Sequence, residues 1–374
     1  MKYLYIALFF LFAYTAKAQD SSPTHIRASI ANGRIKTYEP NEIIPFDTIP
    51  QMHYDKYFID AFDELTIMLN DSSYYNFKRA VFLVEWAYFS GNLDYNSFNL
   101  EIEHTANNLR KFINLMNIQH YKTAANAALF NYFTKPSWMN QNLAFSYDIE
   151  DCGGDKDFSK LFVSKLMRTH SGQCVSLPLY YKILCHEIGG KAFLASAPRH
   201  MYIKHLGENN EWVNVELTTG SFARDEWYIQ TMGVTTEAIK NGVFLSAMST
   251  NEDIAYMIYM LGIAYLRKYG DYDYFTLMCA NQILEKLPKN CYGLMLRIGT
   301  RQQWGYNYVK KIGKIYSDFI MNNSTKFHRD KDLLNSLGYT KISIAEYIKN
   351  VEQSYFDLGK DTPLEWKKFR NKAK

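Results

Sequence analysis

Residues 169–190 read THSGQCVSLPLYYKILCHEIGG, and the fold turns on how this stretch is understood. It holds two of the chain's five cysteines, Cys174 and Cys185. Val175, Leu179, Ile183 and Leu184 recur at helical spacing, so a helix is expected to open at Cys174 and to close at Gly189-Gly190. Gly172 allows close backbone approach just ahead of it, and Pro178 is tolerated only near a first turn. Cys185 sits among Tyr181, Ile183, Leu184 and Ile188 and reads as a small apolar core residue. Cys174 stands where the helix dipole and unpaired N–H groups favour negative charge, whether a thiolate or a developing oxyanion. On one helix the two sulfurs' Cα atoms would lie roughly 16 Å apart against a disulfide limit of ~7 Å, so they cannot bond each other.

Downstream the pattern changes. KAFLASAPRHMYIKH (191–205) and EWVNVELTTG (211–220) are short apolar, partly alternating runs separated by a turn-like LGENNE, which predicts a strand, a turn and a strand. His200 lies on the first and Glu216 on the second. Neighbouring antiparallel strands bring such a pair to cross-strand distance, giving a base and a carboxylate that orients it beside the Cys174 nucleophile. His205, five residues on, falls on the opposite strand face. Asn214, Glu216 and Thr218 share the face that Val213, Val215 and Leu217 do not. Each residue also has a plain alternative: a cysteine packed at a helix start, a satisfied strand histidine, and a glutamate on a solvated face.

Gly172-Gln173-Cys174, Ile188-Gly189, Pro198-Arg199-His200 and Trp212 to Thr218 together resemble the transglutaminase-like superfamily, over about residues 155–235. The CVSLPLYYKIL helix and the helices that follow look closest to its SirB-like branch. The resemblance implies a papain-like core, with a helix bearing the cysteine packed on an antiparallel sheet. It also implies roles: Cys174 as nucleophile, His200 as general base and acid, and Glu216 as the orienting group where members usually carry Asp. The implied chemistry is that of a cysteine amidohydrolase or acyltransferase acting on a peptide or side-chain amide. A catalytically silent domain serving as a protein-binding scaffold is the alternative. Gln173, adjoining the nucleophile, is expected to point away from the site.

Working outward, MKYLYIALFFLFAYTAKAQ carries Lys2, an apolar run from Leu4 to Tyr14 and Ala16-Lys17-Ala18, the signature of a signal peptide over 1–18 and an exported, periplasmic or secreted protein. No later run is long enough for a membrane span. Its removal lowers the net charge from +4 to about +2, and no basic stripe with interleaved aromatics is present, so nothing asks for nucleic acid. An aromatic content of 16% marks a chain that buries a core rather than a disordered one. Pro40, Pro45 and Pro50 suggest an extended arm over 19–56. Helices are expected after Ser72-Ser73 to Gly91, from Phe98 to Met116, from Tyr121 to Phe133 and from Phe158 to Met167, and again beyond Thr235. The helical part of the core is drawn at 57–150, the transglutaminase-like core at 151–235 and a helical region at 236–374, an α+β class throughout.

In that last region Leu261-Gly262, Tyr265, Gly270, Ala280, Leu284 and Pro288 resemble one tetratricopeptide unit, which would pack on the rest of the chain. Five cysteines are an odd number, Cys279 and Cys291 could bridge two helices, and no disulfide scaffold is implied. His170, Cys174, Cys185, His186 and His200 lack metal-ligand spacing, so neither metal nor cofactor is called for. A peptide or protein, as substrate or partner, is the expected occupant.

Overall fold

The computed structural model describes residues 49–313 and 316–359. The expected signal peptide over 1–18, most of the expected Pro-containing arm and residues 360–374 lie outside the described residues. Asp55 caps α1 (Lys56–Asn70) by accepting from the Tyr57 amide. α2 (Phe77–Tyr88) is capped by Asn76, which accepts from the Arg79 amide; Ser72–Tyr74 form a separate 3₁₀ turn and not the expected cap. An Asn side chain directly before the helix reaches its third amide, which Ser73 from within another turn does not. α3 (Tyr95–Leu115) and α4 (Ala124–Thr134) follow. The expected helix over 158–167 is broken into a 3₁₀ turn, Phe158–Leu161, and α5 (Val163–Thr169).

Two short strands, β1 (Ser146–Tyr147) and β2 (Ser171–Gly172), pair in parallel and lead into α6 (Ser176–Glu187), where Cys174 sits two residues before the helix proper. The second sheet is an antiparallel meander of β3 (Phe193–Ala197), β4 (His200–Leu206), β5 (Trp212–Glu216) and β6 (Ser221–Ala223). Here the structure corrects the sequence reading. The run 191–205 is not one strand but two, folded back at Pro198-Arg199, with Ala197 paired to His200. Proline fixes its own φ near the first central position of a type II turn, and Arg199 takes the left-handed conformation (φ 58°) that the second position requires. β6 and the helix after it, α7 (Asp225–Met232), were not anticipated, because three residues of strand carry too little pattern to register.

α6 lies on β3 and β4. Leu177, Tyr181 and Leu184 pack there with Leu194, Ala195, Ile203 and Val215, all at 1% exposure or less. Each such aliphatic residue contributes about 1.5–3 kcal/mol by leaving water. α8 (Thr236–Lys240) is followed by the long α9 (Thr250–Tyr269), which packs on α1 and α2 and pairs with α10 (Tyr274–Lys286). A methyl at Gly262 would lie 2.8 Å from a Leu296 methyl, so only glycine lets α9 meet α11 (Cys291–Ile312) at this distance. α11 in turn packs on α12 (Asp318–Ser336), so the helical pairing continues past the single unit the sequence suggested. The last helix, α13 (Ile344–Asp357), returns to α7.

The described chain is thus α+β, mostly helical around a small antiparallel sheet. All five cysteines are free thiols, Cys279 and Cys291 included. No described helix is long and apolar enough to cross a membrane.

Candidate active site

The site begins with a glycine. A Cβ at Gly172 would meet Leu166 Cδ1 at 2.6 Å and Ser176 Oγ at 2.7 Å, so β2 passes into α6 only with hydrogen at this position. Ser176 Oγ accepts from the Gln173 amide at 2.9 Å. The Gln173 side-chain amide donates to the carbonyls of Asp148 (2.6 Å) and Asp151 (3.1 Å), which turns it away from the cleft. Cys174 is left in the first turn, with no side chain capping the helix behind it. The residue is 5% exposed, and its sulfur donates to the Arg199 carbonyl at 3.8 Å. The β3–β4 turn that the sequence concealed therefore sets the roof over the sulfur.

The sheet supplies the rest. Lys204 pairs with Asn214, so alternation puts His200, Tyr202 and Lys204 on the same face as Asn214 and Glu216. That face is buried rather than solvated: Asn214, Glu216 and Thr218 are each 6% exposed or less. His200 Nε2 lies 2.6 Å from Glu216 Oε2. Tyr228 on α7 donates to the same oxygen at 3.0 Å, while Thr218 donates to Oε1 through both its hydroxyl (2.6 Å) and its amide (3.0 Å). The carboxylate thus accepts four hydrogen bonds, which fixes its position. His205 pairs with Val213 and its Nδ1 contacts the Leu206 carbonyl, apart from the site.

Burial by itself would strip the His200 proton, but the Glu216 carboxylate beside it and the hydrogen-bonded Cys174 side chain outweigh that, lifting its pKa from 6.5 to about 10. For Glu216 burial pushes upward, and His200 with the two Thr218 donors brings it below its ordinary value. The two shifts agree on an imidazolium–carboxylate pair. Both ring nitrogens then donate: Nε2 to Glu216, and Nδ1 toward the Tyr347 oxygen, 2.9 Å away.

Tyr347 comes from α13, and its hydroxyl also accepts from Tyr147 at 3.2 Å. Neither tyrosine was foreseen, nor was Tyr228. Ile344, Tyr347, Ile348 and Val351 mark an amphipathic helix in the sequence, but periodicity does not say where a helix docks. Cys152 lines the same cleft as Cys174; burial first, then the neighbouring Cys174, push its thiol up to about 12. Cys185 is wholly buried against Asn126, and burial lifts its thiol to about 12.

The cleft over Cys174 and His200 has a volume of about 780 Å³. Its opposite wall carries Tyr256 and Tyr259 of α9, Tyr292 of α11, and Tyr339. Tyr292 lies edge-on to Tyr256 (4.9 Å between centroids) and tilted against Tyr259 (5.1 Å). Among the described residues no group of three or more His, Cys, Asp or Glu is gathered as a metal site. No protein-family model, curated protein or solved structure matches this chain.

Proposed function

We propose that the chain is an exported cysteine amidohydrolase or acyltransferase with a transglutaminase-like, papain-like core, acting on peptide or side-chain amides. The observation that carries this reading is the His200 ring, held by Glu216 on one nitrogen and lining the same cleft as Cys174, whose side chain helps keep the ring charged. An imidazolium next to a sulfur at the start of a helix is the surrounding a thiolate nucleophile needs.

The sulfur attacks the amide carbon, forming a C–S bond and a tetrahedral oxyanion. The Cys174 amide and the first-turn amides of α6 just after it are the candidate donors for this charge. His200 passes its Nδ1 proton to the departing nitrogen as the C–N bond breaks, leaving a thioester. Water or an amine then attacks the thioester, with neutral His200 taking its proton, and the sulfur leaves as thiolate. Glu216 keeps the ring oriented and stabilises its charged form at the stages when it is protonated.

Alkylation by iodoacetamide at mildly acidic pH tests the pair. Cys174 should label much faster than Cys185, and His200→Ala should remove the difference. Equal, slow labelling of both cysteines, unchanged by His200→Ala, would sink the enzyme. The scaffold alternative has two observations in its favour: the Tyr347 hydroxyl occupies Nδ1, and Cys174 is little exposed. It predicts that second result. Export is tested separately, by whether the chain recovered outside the cytoplasm begins after Ala18.

A further inference from the structure

The wall of the cleft is far more basic than the chain. The whole sequence has 42 basic and 38 acidic residues, nearly balanced. Around the cleft stand Arg199, Arg267, Lys286, Lys289 and Lys341, against Glu252 as the one acid among the described lining residues. Glu252 is already engaged, accepting from the Ser249 amide (2.8 Å) and hydroxyl (2.7 Å) at the start of α9. Arg267 is paired with Asp155 at 2.6 Å, and Lys286 reaches toward the Asn70 carbonyl. Arg199 and Lys341 have no carboxylate within ion-pair distance among the described residues.

These two cations are also held together. Arg199 Nε donates to the carbonyl of Ile342, the neighbour of Lys341. The Lys341 side chain reaches solvent at the cleft mouth, yet partial enclosure first and the Arg199 charge second hold its amine below the ordinary value. Two like charges stapled side by side are unfavourable until an anion joins them. Arg199 moreover keeps a left-handed backbone that costs an L-residue about 1–2 kcal/mol, a strain that proteins concentrate at binding and catalytic sites. Its own carbonyl touches the Cys174 sulfur, and its chain neighbour is His200. Arg199 and Cys174 line one cleft, so an anion held by this guanidinium would stand in the cleft that the sulfur faces.

We propose that the cleft selects an acyl donor bearing a carboxylate close to the amide that Cys174 attacks, with Arg199 and Lys341 as the specificity-determining cations. The tyrosine wall of α9 and α11 would cover the adjoining stretch of peptide. The carboxylate is either an acidic side chain or a chain terminus. The proposal rests on the cysteine-transferase reading, and its test separates the two.

Cys174 in the mature chain is alkylated with iodoacetate and, separately, with iodoacetamide, and the ratio of the two rates is compared with that of free cysteine. The ratio cancels the sulfur's intrinsic reactivity and reports the local preference for an anion. It should exceed the free-cysteine value and fall roughly fivefold for each of Arg199→Gln and Lys341→Gln, the size of an exposed ion pair. Arg199→Lys should retain most of it, Lys341→Glu should invert it, and high salt should erase it. A ratio equal to that of free cysteine, or one unmoved in both Gln variants, overturns the proposal while leaving a reactive Cys174 intact.

Calorimetry on the Cys174→Ser chain supplies the second arm, independent of any reactivity. Three acetylated tripeptides are titrated: one with a glutamate side chain and an amidated end, one neutral with a free carboxylate end, and one neutral and amidated. Binding of either anionic peptide but not the neutral one supports the site and identifies the source of the carboxylate. Binding of all three alike, or of none, overturns it. An unreactive Cys174 together with selective anionic binding would sink the catalytic reading alone.

Discussion

Two buried charge pairs of the same length stand by α6 and differ in their surroundings. At its middle, Lys182 meets Asp253 of α9 at 2.6 Å, both side chains 2% exposed or less. Before its start, His200 meets Glu216 at 2.6 Å, equally buried. In the first pair Tyr75 donates to the same Asp253 oxygen at 2.9 Å, the Phe77 ring lies 5.0 Å from the ammonium, and neither Lys182 nor Asp253 lines the cleft. It ties the catalytic-looking helix to the C-terminal helices. In the second pair His200 lines the cleft together with Cys174, and its Nδ1 meets the Tyr347 hydroxyl at 2.9 Å. What separates the two pairs is therefore not burial or distance but whether one member borders open space.

The comparison breaks most sharply on stability. Lys182→Met removes one partner and leaves a buried, uncompensated Asp253, which should cost about 3–5 kcal/mol in urea unfolding. Restoring neutrality with Lys182→Met/Asp253→Leu should recover much of that loss. If the single variant unfolds like the wild type, the pair is not the link between α6 and α9. Glu216→Gln is the matching change at the other pair. It should lower the Cys174 alkylation rate at mildly acidic pH by roughly a hundredfold, the lower range of general acid–base effects. It keeps a hydrogen-bonding side chain in place, so its folding loss should be smaller than that of Lys182→Met. A Glu216→Gln chain that alkylates normally would mean the carboxylate only packs.

Gly172→Ala sharpens the same contrast from the backbone. Its methyl would crowd Leu166 and Ser176, so a loss of about 1–3 kcal/mol is expected, together with slower Cys174 alkylation because the turn carrying the sulfur must shift. The pH dependence of unfolding separates the pairs further. His200 is raised from 6.5 to about 10, so its contribution is whole below pH 6.5 and is lost as pH rises through about 10. His200→Ala should flatten the alkaline limb of the stability curve between those values. An unchanged alkaline limb would show that the imidazolium is not held by Glu216.

How far the sequence could be read follows the same division between local and distant causes. The helices around Phe98–Met116 and Tyr121–Phe133 were visible in their own periodicity, to within a few residues. So was the approach of Gly172 and Cys174 to a helix start, because glycine, a small turn and an apolar stripe are all local. The shared face of His200 and Glu216 followed from strand alternation even though the strand boundaries were wrong. Pro198-Arg199 was misread as mid-strand because the apolar residues on either side continue the run; the proline was the missed signal. Tyr228 and Tyr347 reach the site through docking of α7 and α13, and nothing within those helices names the surface that receives them. The polar half of the site was therefore legible where it lay in neighbouring strands, and hidden where it arrived from across the fold.

Tyr347 is where that hidden half bears on chemistry, and its effect should be the smallest. The hydroxyl stands 2.9 Å from Nδ1, and Nε2 is held by Glu216, so Nδ1 is the nitrogen that the proposed mechanism leaves for the sulfur and that the tyrosine would contest. A hydrogen bond contributes about 1 kcal/mol net, so Tyr347→Phe should release the ring to Cys174 and raise the alkylation rate by at most about fivefold. The buried ring volume is nearly unchanged, which keeps the fold loss small. Should the rate fall instead, Tyr347 would be a support that orients the imidazole rather than a competitor for it. α13 would then belong to the working site as fully as Glu216 does, and the His200 ring would be held on both nitrogens where it borders the cleft.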